Sequence, residues 1–131
     1  MANYDEKRQY KRVPDAFIVT FQLKSPRAIV LQAGNQEYDA IALDVSEGGV
    51  GVDSGQEIPV GAEVLMRFRI LNELSVSDND RRREIVVEGE SRYCRSTDPT
   101  NYRVGLLFKN LTEDDRAFLA RYVKDQLLGK Y

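Results

Sequence analysis

From Ala16 to Lys24 every second residue is apolar: Phe17, Val19, Phe21 and Leu23 alternate with Ile18, Thr20, Gln22 and Lys24. That period, with its aromatic and β-branched residues, predicts a half-buried strand whose first set faces the core. Ser25-Pro26 then marks a turn, Ala28 to Gln32 a short strand, and Gly34-Asn35 a second turn. Alternation resumes from Asp39 to Ser46, where Ile41, Leu43 and Val45 are expected on the apolar face and Ala40, Ala42, Asp44 and Ser46 on the other. It continues from Val50 to Ser54 after the adjacent glycines Gly48 and Gly49. Two glycines between strands predict a tight turn or bulge, where glycine takes positive φ or admits a close backbone approach. Asp44 and Ser46 then stand beside exposed main-chain amides. Read as bare pattern, this is a hairpin turn in a small barrel.

After a loop at Ile58-Pro59-Val60-Gly61, Val64, Met66, Phe68 and Ile70 point one way and Glu63, Leu65, Arg67 and Arg69 the other. Residues 72–83 read as a polar loop, with Arg81, Arg82 and Arg83 solvated near Asp78 and Asp80. Glu84 to Arg95 and Asn101 to Lys109 supply two more strands. In the second, Tyr102, Val104, Leu106 and Phe108 share a face, and Gly105 interrupts the other for a bulge or close packing. The period then changes. From Leu111 to Leu128 the residues Phe118, Leu119, Tyr122, Val123 and Leu127 form a helical stripe, with Thr112 as N-cap, Asp115 at the capping-box position and Gly129 as the stop. Five or six antiparallel strands and one C-terminal helix predict an all-β architecture closed on itself, because closure removes exposed edges.

The chain of 131 residues, 42% hydrophobic, suits one domain with one core. A net charge of −2 argues against a field that would hold the protein on nucleic acid. No apolar run is long enough to span a membrane and no signal-peptide core opens the chain, so a cytoplasmic protein without membrane insertion is expected. The absence of histidine argues against zinc hydrolases and Ser/His or Cys/His catalysts. Cys94, the single cysteine, reads as a small buried thiol, and Asp114-Asp115 as negative charge at a helix start. No metal, cofactor or catalytic residue is expected, and the protein reads as no enzyme.

Residues 1–13 differ from the rest. Lys7, Arg8, Lys11 and Arg12 stand against Asp5 and Glu6 in an otherwise acidic chain, and helical geometry would stack like charges at i,i+4. This predicts a basic arm preceding a barrel domain over 14–131, whose helix spans 112–128.

Two separated motifs now meet that topology. Arg8-Gln9-Tyr10-Lys11-Arg12 fits RxxxR, and Asp44-Val45-Ser46-Glu47-Gly48-Gly49 fits D/N-x-S-x-x-G. In this order, and with the late strand Tyr102-Arg103-Val104-Gly105-Leu106-Leu107-Phe108, the chain resembles the PilZ domain family over nearly its whole length. The resemblance implies a six-stranded antiparallel β-barrel with a C-terminal helix that binds cyclic di-GMP. It further implies that Arg8 and Arg12 grip phosphate and guanine, Asp44 accepts from guanine N1–H and N2–H, Ser46 adds a hydroxyl contact and Gly49 keeps the turn close to the ligand. The chemistry suits those types: a guanidinium pairs with phosphate oxygens, offers two donors to guanine O6 and N7, and stacks on planar rings. Lys7, Gly48 and Arg92 are secondary candidates, and Tyr10 either packs on the barrel or stacks on a base. The family points to a bacterial receptor, monomer or homodimer, whose arm folds over the barrel on binding and signals to an unidentified downstream protein controlling motility, pili, exopolysaccharide or virulence. Two rivals stand beside it: a PilZ-like protein-interaction module that binds no nucleotide, and a nucleic-acid-binding small barrel, which would need Phe17 and Phe21 exposed as stacking platforms.

Overall fold

A computed structural model describes residues 13–27, 36–75 and 81–128. The strands are β1 (Val13–Ser25), β2 (Glu37–Val45), β3 (Gly49–Ser54), β4 (Glu63–Leu71), β5 (Arg82–Asp98) and β6 (Asn101–Lys109), followed by helix α1 (Glu113–Leu128). They close into an antiparallel barrel in the order β1-β2-β3-β6-β5-β4. The expected short strand at 28–32 and the turn at Gly34-Asn35 lie outside the described residues.

Alternation decides most of the interior. Val19, Phe21 and Leu23 of β1, Val64, Met66, Phe68 and Ile70 of β4, and Val104, Leu106 and Phe108 of β6 are all buried. Phe17 packs on this core, its ring centroid 5.4 Å from that of Phe68. Phe17 and Phe21 are therefore core residues, and the exposed platforms that a nucleic-acid barrel would require are absent at these positions.

In β2 the expected face is reversed. Ala40 and Ala42 are buried and Ile41 is 53% exposed, directly opposite Ile18 of β1. A bulge between Ala42 and Asp44 then shifts the register against β3 by one residue, after which Val45 points inward. One extra residue exchanges the faces of a strand whose side-chain period is two. The apolar run had hidden the switch.

Two boundaries also differ from expectation. Val13, at the end of the expected arm, is fully buried in β1 and paired with Val45. Arg82 and Arg83, expected in a solvated loop, begin β5 opposite Leu71 and Ile70. Arg83 is occupied there: its Nε donates to Asp115 Oδ1 at 2.6 Å. Cys94 is half-buried and packs against the core.

Helix α1 begins where its cap predicts, with the Asp115 amide donating to Thr112 Oγ1 at 3.1 Å. Phe118, Leu119, Tyr122 and Val123 are buried, and Leu127 packs at the edge of the core. Tyr122 donates its hydroxyl to Asp15 at the start of β1, tying the helix to the strand that follows the basic arm.

Candidate functional site

The turn between β2 and β3 is built by Ser46. Its Oγ accepts from the amides of Gly48 at 3.0 Å and Gly49 at 3.1 Å, while its own amide donates to Gly49 O at 2.9 Å. Ser46 is only 2% exposed. The serine expected at the surface has instead been drawn inside the turn, because three main-chain groups converge on it. The amides of Gly48 and Gly49 are likewise occupied, and Gly48 O accepts from the Phe108 amide at 2.9 Å.

Gly49 does not supply positive φ, which among the described glycines occurs at Gly61. Its need is space: a Cβ there would stand 2.3 Å from the carbonyl oxygen of Leu106. Close approach of β6 is the reason for glycine at this position.

The bulge that turns Val45 inward brings Asp44 over the outer surface. Asp44, Gly51, Gly105 and Tyr93 lie in one register row across β2, β3, β6 and β5. The Asp44 carboxylate covers Gly51, where an added Cβ would lie 2.9 Å from Oδ1. At the other end the Tyr93 ring covers Gly105. Two residues without side chains thus form the middle of a row that ends in a carboxylate and an aromatic ring. The Asp44 side chain is 18% exposed, and Arg103 Nη2 donates to its Oδ2 at 3.3 Å.

The chain enters β1 beside this carboxylate. Val13 is paired with Val45 and Pro14 with Asp44. Lys7, Arg8, Arg12 and Tyr10 themselves lie outside the described residues. Arg92 is the extra residue of a bulge between Ser91 and Tyr93, and its Nη1 donates to Glu90 Oε2 at 3.1 Å. It serves there as an exposed partner of a neighbouring acid.

The PilZ domain family model matches residues 6–125. The chain belongs to the PilZ domain family. No curated relative matches it. Among solved structures it is similar to the Bacillus subtilis inhibitor of motility MotI/DgrA, with 19% identity and a TM-score of 0.71 over 95% of this chain and 53% of that one. The PilZ domain of Escherichia coli YcgR with c-di-GMP gives 13% identity and a TM-score of 0.58, over 95% of this chain and 93% of that one. The MrkH–c-di-GMP complex of K. pneumonia gives 14% identity and a TM-score of 0.62, over 95% and 53%. This PilZ chain thus spans about half the length of the MotI/DgrA and MrkH chains and nearly all of the YcgR domain.

Reasoning from sequence missed three residues of the PilZ surface: Asp53, Tyr93 and Arg103. One signal was available for Arg103, since it shares the parity of Gly105 in the same strand and so its outer face. Among the described residues no helix is long and apolar enough to cross a membrane, and no group of three or more Cys, Asp or Glu is arranged to hold a metal ion.

Proposed function

We propose that this PilZ domain is a receptor for cyclic di-GMP and an adaptor rather than an enzyme. Asp44 accepts from the guanine N1–H and N2–H edge, and Arg8 and Arg12 of the basic arm bind phosphate and guanine. Gly49 and Gly48 keep the turn low, and Ser46 contributes by holding its shape. The observation that supports this reading is the pairing of Pro14 with Asp44, which brings the polypeptide that follows the arginine motif beside the Asp44 carboxylate. Ordering of the arm over this surface creates a new face for a downstream protein. The solved relatives include a motility inhibitor and a c-di-GMP-dependent transcription regulatory factor, so outputs of those kinds are the first to test.

Each arginine or carboxylate contact is a charge-assisted bond worth about 1.5 to 3 kcal/mol, so its loss weakens binding about tenfold or more. Calorimetry with cyclic di-GMP, using GTP and linear pGpG as controls, should give selective binding and intact ligand afterwards. Arg8→Ala, Arg12→Ala and Asp44→Ala should each reduce the affinity. A wild-type protein that evolves no heat, or arginine variants that titrate like wild type, would refute the receptor reading or its arm respectively.

A further inference from the structure

The outer face beside Asp44 holds two buried polar atoms without a hydrogen-bond partner, Asp53 Oδ1 and Arg103 Nε. One is an acceptor and the other a donor. They belong to side chains directly opposite one another, because Asp53 and Arg103 are Cα partners in the β3–β6 ladder. Opposed Cβ atoms on such a pair lie about 4.5 to 5.5 Å apart, a span that an arginine crosses by changing rotamer. The guanidinium nevertheless reaches across β3 to Asp44, in a 3.3 Å contact that is long for a charge-assisted bond. Each buried orphan is costly, and two of opposite capacity on adjacent side chains indicate a second arrangement in which both are satisfied.

We propose that Arg103 is a positioning residue that exchanges Asp44 for Asp53 when the ligand binds. This rests on the reading of Asp44 as the guanine acceptor. In the free protein Arg103 holds Asp44 Oδ2 and fixes the carboxylate over Gly51. A guanine edge brings two donors, N1–H and N2–H, and engages both carboxylate oxygens. The guanidinium then turns along its own strand pair, and Asp53 Oδ1 accepts from Nε. Asp53 therefore stabilises the bound form without touching the ligand. The exchange also selects for guanine, since a base edge offering one donor cannot replace the guanidinium as completely.

The test is calorimetry with cyclic di-GMP on Asp53→Asn, Arg103→Ala and the double variant. Asp53→Asn should bind about tenfold more weakly than wild type, and should have no further effect on the Arg103→Ala background, because it acts through Arg103. Ligand-free Asp53→Asn should unfold no earlier than wild type, since Asp53 Oδ1 has no partner there whose bond the lost charge would weaken. The Arg103 Nε–H signal of the wild-type protein, followed by ¹⁵N NMR, should move when cyclic di-GMP is added and so reads the exchange without any substitution. Wild-type affinity in Asp53→Asn, an undiminished effect on the Arg103→Ala background, or an unmoved Nε–H signal would overturn the exchange while leaving the receptor reading intact. A wild-type protein that does not bind overturns both.

Discussion

Gly49 lies so close to Leu106 that a methyl group at position 49 would stand 2.3 Å from the Leu106 carbonyl oxygen. That oxygen belongs to the backbone of β6 and cannot rotate away, so Gly49→Ala must move one strand against the other. The expected cost is about 1 to 3 kcal/mol. It should appear as a lower denaturation midpoint together with weaker cyclic di-GMP binding, because Ser46 Oγ also accepts from the Gly49 amide. A variant with the wild-type midpoint would show that the contact is softer than this geometry requires.

Gly105 meets a side chain instead. A Cβ there would lie 2.1 Å from Tyr93 Cε1, and the ring can be displaced or removed. Gly105→Ala should therefore destabilise the wild-type protein but cost less on a Tyr93→Ala background. The coupling expected from a double-mutant cycle is about 0.5 to 3 kcal/mol, whereas strict additivity would mean that the ring is not the obstacle.

Arg83 and Asp115 join β5 to the first turn of α1. The Asp115 side chain is 11% exposed and that of Arg83 is 38% exposed, so solvent screens the pair on one side only. Arg83→Met strips a nearly buried carboxylate of its cation and should cost about 1 to 3 kcal/mol in urea unfolding. Adding Asp115→Asn should recover part of that loss. If the double variant is no more stable than Arg83→Met, charge burial is not the cause.

Burial, and then the hydrogen bond to Asp15, push the Tyr122 phenol well above the ordinary 10.0. Its folded value is raised, so the stabilisation is complete below the unfolded value of 10.0 and is lost as pH rises above it. As pH rises above about 10, the melting temperature of the wild type should fall more steeply than that of Tyr122→Phe. Parallel profiles would remove Tyr122 from the alkaline transition.

Much of the fold was legible because burial of one face imposes a period. β1, β4 and β6 each face a continuous core, so their alternating Val, Phe, Leu and Ile residues announced both strand and orientation. The Thr112 cap and the stripe from Phe118 to Leu127 announced the helix in the same way. β2 misled because small alanines fill the interior where Ile41 looked the better candidate, and a single inserted residue then reversed the faces.

The strand and helix periods, the turn at Gly48-Gly49 and the motifs of the family are all written in local order along the chain. That Ser46 is consumed by its own turn, and that Arg103 reaches Asp44 from 59 residues away with Asp53 beside it, emerges only in the folded barrel. Alternation reports which way a side chain points relative to its own strand. Which partner it meets depends on strand order and register, and those are settled only when the barrel closes.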